Sequence, residues 1–412
     1  MPGKERSALL EILSERSVAA VIALALFLNL GAGIVLPILP LYARSLGADY
    51  GQAGLLVGAY YFARLLSDVA AGFVLGRVGV RRAAVAGLLL LAVGALLTGL
   101  SHSFPVALIC WAAAGFGGGT VFAAMYNALI LGVARERMAR ALSLFYGAFN
   151  TGVIAGGFLG GLVASQLGLN APLFCLTVIA VILSVVMARA MPDRPVRQGR
   201  EGDLQLADAS GEAGKGRGPS SLFKIPGFGA AVVSVLANLW MFGAVFNTLT
   251  PLFARDILHL STFNIGVLYA IALAAEFLVY YPAGTWADSR GRRFVLIPSF
   301  AGLALFTMLL GFSPTVLVFA ALMAFVGFSS GFAGVPPAAI LADVLPANRS
   351  ARGVATFRFG ADLGYTLGPL VTGLTAASGG FKAAFIAAGL PCLLALLVVS
   401  LSPETLRLRR SA

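Results

Sequence analysis

Gly72-Phe-Val-Leu-Gly76-Arg77-Val-Gly79-Val-Arg81-Arg82 and Gly284-Thr-Trp-Ala-Asp288-Ser-Arg290-Gly291-Arg292-Arg293 are two copies of one pattern. Each is a short loop of glycine and arginine set between long apolar runs. Gly72 matches Gly284, Gly79 matches Gly291 and Arg81 matches Arg293, all at one constant offset. That offset also carries Gly54 onto Gly266, Gly115-Phe116 onto Gly327-Phe328, and Arg140 onto Arg352. Gly152, Gly156 and Gly161 land on Gly364, Gly368 and Gly373. The first runs match at an offset shorter by one residue, Pro40-Leu-Tyr-Ala-Arg44 against Pro251-Leu-Phe-Ala-Arg255. The chain is therefore a duplicated unit.

The runs between these loops read as membrane spans. Of 412 residues 59% are hydrophobic and 11% charged, against about a quarter charged in soluble domains. A single soluble core cannot cover that much apolar surface. Twelve segments, at 18–42, 51–75, 83–101, 105–133, 140–167, 171–190, 227–254, 263–287, 294–312, 315–342, 353–377 and 382–401, are each long enough to cross about 30 Å of hydrocarbon as a helix. The expected fold is all-α and polytopic, with twelve transmembrane helices as two pseudo-symmetric six-helix bundles. The bundles span 18–190 and 226–402, joined by a polar linker at 191–225, with tails at 1–17 and 403–412.

Charge placement sets the orientation. Of 29 Lys and Arg, all but Arg44, Arg64, Arg255, Arg358 and Lys382 fall at the termini and even-numbered connections. The positive-inside rule then predicts both termini and the linker in the cytoplasm. The net charge of +12 lies in these short clusters and does not suggest nucleic acid. Cys110, Cys175 and Cys392 lie inside apolar runs, with neither disulfide framework nor metal spacing. No cofactor or metal is expected. The first run, from Val18, is long enough to span and is expected to do so rather than to act as a cleaved leader. Because each repeat holds an even number of spans, the halves are expected to be parallel, related about the membrane normal, with a site between them near the midplane.

The two loops resemble the signature loop of the major facilitator superfamily, in the drug/solute:proton antiporter branch. The second copy fits in full: Gly284, Asp288, Arg290, Gly291, Arg292 and Arg293. The first copy keeps Gly72, Arg77, Gly79, Arg81 and Arg82 but has Gly76 where the family has Asp. Gly152, Gly156, Gly157, Gly160 and Gly161 resemble the glycine-rich antiporter motif of span five, with Gly157 at its usual Pro. Trp111 stands where proton-coupled exporters of the family carry an Arg. The resemblance implies an alternating-access transporter whose loop motif latches the halves. Read from the residues, Asp288 near the start of a helix-joining turn is expected to cap exposed N–H groups or to pair with an Arg from the facing half, and Arg290, Arg292 and Arg293 to hold the loop at headgroup level.

Ionisable residues inside spans are functional candidates, since they cost at least a few kcal/mol. Glu276, Asp362 and Asp68 are the proton-coupling candidates. Arg64, Asn29, Asn127, Tyr146, Asn150, Asn247 and Arg358 are the substrate-cavity candidates, with Asn238 and Tyr60, Tyr61, Tyr126, Trp240, Tyr269, Tyr280 and Tyr281 as further polar and aromatic surface. Arg64–Asp68 and Arg358–Asp362 are i,i+4 pairs that local neutralisation also explains. The repeat sharpens the choice. Arg64 corresponds to Glu276, Tyr146 to Arg358 and Asn150 to Asp362, so the backbone repeats while the chemistry does not. Glu276 has no charged residue one turn away and lies about 18 Å from each end of its span.

The expected function is a secondary active transporter, not an enzyme, driving proton-coupled efflux of a small amphipathic organic solute. Its partners are that solute, protons and the lipid bilayer. A monomer is expected, in the inner (cytoplasmic) membrane. A proton-coupled importer of a sugar or organic acid, and a non-transporting sensor or scaffold on the same fold, remain open alternatives.

Overall fold

A computed structural model describes residues 16–133, 138–190, 222–345 and 350–406. The expected tail up to residue 15, most of the linker (191–221) and the last residues of the C-terminal tail lie outside the described residues.

The secondary structure is helical. In chain order the elements are α1 (Arg16–Val35), α2 (Leu39–Ser45), α3 (Tyr50–Val78), α4 (Val80–Leu100), α5 (Phe104–Gly132), α6 (Met138–Leu167) and α7 (Ala171–Ala190). After the linker come α8 (Phe228–Met241), a π-helical stretch (Phe242–Leu249), α9 (Thr250–Asp256), α10 (Thr262–Arg290), α11 (Arg292–Leu310), α12 (Val316–Gly334), α13 (Pro336–Val344) and α14 (Ser350–Leu401). Ten stretches among the described residues are long and apolar enough to cross a membrane. The last of these, Arg352–Leu401, contains two spans, divided at Gly380, whose φ of 76° breaks the helix without a loop. α3 has 29 residues, which is also long enough. Each of the twelve segments read from the sequence thus falls on helical chain, three of them (18–42, 227–254 and 315–342) on more than one element. Ile109, Leu278 and Leu317 are over two-thirds exposed, as a lipid-facing surface requires.

Proline shapes spans one and seven differently. Pro40 and Pro251 match in the repeat, and each lacks the N–H that an α-helix needs. In the first repeat, which also carries Pro37, the chain breaks between α1 and α2. In the second the helix stays continuous, but the eight residues before Thr250 widen to a π-helix. There Thr248 Oγ1 donates to the Gly243 carbonyl five residues back, at 3.0 Å.

The described residues form two compact units. One holds residues up to Ile38 together with those from Phe62 to the end of α7. The other holds Leu39–Tyr61 and everything after the linker, so α2 and the start of α3 pack with the second set of spans.

Within the first unit α1 lies against α6 with backbones nearly touching. A β-carbon at Gly152, Gly156 or Gly160 would collide with the carbonyls of Leu26, Leu30 and Ile34 in turn. Three members of the glycine-rich motif therefore form a groove for α1, as small residues do in lipid-embedded packing. The second unit repeats the device, with Gly364 and Gly368 of α14 against Leu236 and Trp240 of the span-seven helix.

Candidate functional site

The second unit contains a polar cluster inside its apolar interior. Its backbone cause is the crossing of α10 and α12. Gly327 and Gly331 lie one turn apart on α12, and a side chain on either would overlap the carbonyls of Ala272 and Glu276. The helices are held at backbone contact, which sets Ser330 beside the Glu276 carboxyl.

Glu276 is 5% exposed. Its Oε1 accepts from the Tyr280 hydroxyl at 2.9 Å and lies 3.4 Å from Ser330 Oγ. Its Oε2 is buried with no hydrogen-bond partner among the described residues. Ser330 Oγ is also 3.2 Å from Asn238 Oδ1 on α8. Among the described residues no ion pair to Glu276 is seen, and its companions are hydroxyl and amide groups.

A second polar group joins the same helices. Asn247, fully buried in the π-helical stretch, accepts from the Tyr269 hydroxyl at 3.2 Å and donates to the Tyr61 hydroxyl at 3.2 Å. Tyr269 and Glu276 are seven residues apart on α10, about two turns, and so share a face. Asn238 and Asn247 are nine apart. In a regular α-helix that separation is about 900°, which puts them on opposite faces. The π-helical stretch turns less per residue and brings Asn247 back towards α10. Tyr61 stacks on Tyr365 of α14, centroids 4.5 Å apart and planes 8° from parallel, and Phe242 meets Tyr365 edge-on. Asp362, one turn before Thr366 on α14, is also buried, whereas Arg358 is half-buried.

The first unit makes the same helix crossing with different chemistry. Gly119 of α5 faces the Arg64 carbonyl, as Gly331 faces that of Glu276. The Arg64 guanidinium lies over the Phe122 ring, 4.9 Å from its centroid. Ser67 and Thr120 bond across the crossing at 2.8 Å. Asn29 and Asn127 donate to carbonyls one turn back on their own helices, Ala25 and Ala123. Tyr146 is exposed against Phe145, and Asn150 and Asp68 are half-buried.

In the loop motif of the second unit Arg292 is 2% exposed and pairs with Asp343 of α13 at 3.2 Å, and with Asp288. Asp288 does not cap the following helix. Glu404 does so from the C-terminal end of the chain, accepting from the backbone N–H groups of Arg292 and Arg293 at 2.9 and 3.0 Å. A helix N-terminus favours a carboxylate there, and the positive φ of Gly291, 116°, turns the chain so that Glu404 fits against it. Arg290 is the member that stays exposed, between the Trp286 and Phe294 rings. Ser330, Asp343 and Glu404 were missed by sequence reasoning. The Glu404 signal, a lone acid after the last span, was present but uninterpretable without its distant partner.

The family model of the Major Facilitator Superfamily matches residues 21–277 and 231–411. The chain belongs to this superfamily. It is a multi-pass membrane transporter, not an enzyme. Among similar proteins, the multidrug resistance protein MdtG of Rahnella sp. is 36% identical over 124 residues, covering 30% of this chain and 28% of MdtG. The quinolone resistance protein NorA of Staphylococcus aureus is 26% identical over 161 residues, 38% of this chain and 41% of NorA. The matches therefore span well under half the length of these relatives. The nucleoside transporter NupG has the same fold, with a TM-score of 0.74 at 14% identity, over 93% of this chain and 99% of NupG.

Proposed function

We propose that this transporter exports a small amphipathic organic solute in exchange for protons, with Glu276 as the residue that carries the proton. The observation behind this reading is the Glu276 carboxyl itself. It is buried, it has a free oxygen, and its companions are hydroxyl and amide groups. An ionisable group in a span is expensive and is kept where it has work to do. The aromatic surface of Tyr61, Tyr269 and Tyr365 with the Asn247 amide suits a solute that is part apolar and part polar. The names of MdtG and NorA, a multidrug and a quinolone resistance protein, support export. Asp362 and Asp68 are the next candidates for proton coupling. Arg64, Arg358, Asn29, Asn127, Tyr146 and Asn150 are the further candidates for contact with solute. The charge pattern supports a cytoplasmic location for both termini in the inner membrane, and we take the monomer as the working unit.

The test begins with a thermal-stabilisation screen of amphipathic amines and acids on purified protein, because a binder raises Tm by mass action. The best binder is then followed in proteoliposomes under an imposed pH difference. The solute should move against its gradient and opposite to the protons. Flux indifferent to the pH difference would overturn the reading.

A further inference from the structure

Ser330 is fully buried and carries one hydroxyl proton, yet two acceptors face it: Asn238 Oδ1 at 3.2 Å and Glu276 Oε1 at 3.4 Å. With Glu276 charged, one of these contacts has no proton, and a buried acceptor is left unsatisfied. With Glu276 protonated on Oε1, both contacts of Ser330 close. The carboxyl donates to Ser330 Oγ, Ser330 donates to Asn238 Oδ1, and Tyr280 donates to the carboxyl. Resting on the proton-carrying reading of Glu276, we infer that Ser330 and Asn238 are positioning residues for the coupling proton, forming with Glu276 a relay that is complete only in the protonated state.

The fold makes this relay rigid. Gly327 and Gly331 hold α12 against α10 at backbone contact, so Ser330 cannot back away from Glu276 when the charge changes. What can change is the direction in which the Ser330 proton points. When Glu276 is charged, Ser330 turns to it and releases Asn238. Asn238 lies one turn before Phe242, the first residue of the π-helical stretch, whose N–H bonds the Asn238 backbone carbonyl and not the side-chain oxygen that Ser330 reaches. That stretch carries Asn247 and its bonds to Tyr61 and Tyr269. Tyr269 and Tyr280 on α10 are titratable groups that interact with Glu276, and both also interact with Tyr365 on α14. The helices that supply Asn238 and Ser330, α8 and α12, contain no ionisable side chain.

Infrared difference spectroscopy on the purified full chain tests the relay without a known substrate. The carboxyl C=O band of Glu276 is the one lost in Glu276→Gln, and its intensity near neutral pH gives the ratio of protonated to charged Glu276. The relay predicts that Asn238→Leu lowers this ratio, because the freed Ser330 proton then serves the carboxylate at no cost to Asn238. One hydrogen bond corresponds to roughly a two- to tenfold fall. Ser330→Thr keeps the hydroxyl and should keep the ratio. An unchanged or raised ratio in Asn238→Leu overturns the relay. Should that variant not fold, an unchanged ratio in Asn238→Val overturns it equally. A wild-type band that does not titrate at all would instead remove Glu276 as proton carrier.

Discussion

Arg64 and Glu276 occupy matching places in the repeat, and each lies where a glycine of the crossing helix meets its carbonyl, Gly119 in one unit and Gly331 in the other. The backbone has been copied; the side chains have not. In the first unit the long cation rests on the Phe122 ring, and the crossing is bridged by Ser67 and Thr120. In the second the carboxyl meets Tyr280 and Ser330, and Ser330 reaches on to Asn238. Packing demands repeat with the backbone, so a difference confined to buried polar groups points to function. One unit holds a fixed charge, because Arg does not lose its proton in proteins. The other holds a group that can.

The strongest way to break this contrast is to remove the exchangeable group. Glu276→Gln should reduce solute flux driven by a pH difference to the protein-free background, while solute–solute exchange in the absence of a gradient persists. The comparison measurement is Arg64→Gln, which should alter which solutes are accepted and leave the dependence on the pH difference intact. Loss of pH-driven flux in Arg64→Gln with retention in Glu276→Gln would reverse the assignment of roles.

The crossings themselves give the next effect. Gly327→Ala places a methyl into the Ala272 carbonyl, and overpacking of this kind costs roughly 1–3 kcal/mol. Gly119→Ala meets the Arg64 carbonyl at 2.9 Å and the end of Ser67, a looser contact that should cost less. Thermal unfolding in detergent should rank Gly327→Ala well below Gly119→Ala. Equal losses would mean that the second crossing is not the tighter one.

A smaller effect separates cation from ring. Arg64→Lys retains charge but loses the planar face that lies on Phe122, an interaction worth about 0.5–2 kcal/mol. Its Tm should fall, and Phe122→Leu should give the same loss without adding to it in the double variant.

How much of this was visible in the sequence depends on how far each feature reaches along the chain. Spans were legible because apolar length is local, and the repeat was legible because glycines needed for close helix packing recur in register. Glu276 stood out for its depth and for lacking a charged residue one turn away. The π-helical stretch Phe242–Leu249 was not visible, since its residues suit an α-helix equally and only Pro251 hints at disturbance. Ser330 is one of two adjacent serines in an apolar run, and only the glycine-guided crossing of α10 and α12 gives it meaning. The ion pair of Arg292 was not visible, because its partner Asp343 and the capping Glu404 lie far along the chain. Helix rotation about its own axis, which decides all of these, is not written in composition.

The smallest effect tests whether the first unit is inert towards protons. Thr120 donates its hydroxyl proton to the Phe116 carbonyl at 3.0 Å, so at the 2.8 Å contact Ser67 must be the donor and Thr120 the acceptor. Every donor in that chain is used, and none of its members titrates. It is the counterpart of the Ser330 group with the carboxyl left out. Ser67→Ala should therefore cost about 0.5–1.5 kcal/mol, the value of one hydrogen bond. Thr120→Val should cost a similar amount, and the double variant should fall short of their sum, because the two side chains share the bond. The loss in Ser67→Ala should be the same at mildly acidic and mildly alkaline pH, since no member of the chain gains or loses a proton between them. A loss that changes with pH would show a titrating group coupled to this crossing, and Asp68, the next residue on α3, would then join Glu276 as a proton carrier.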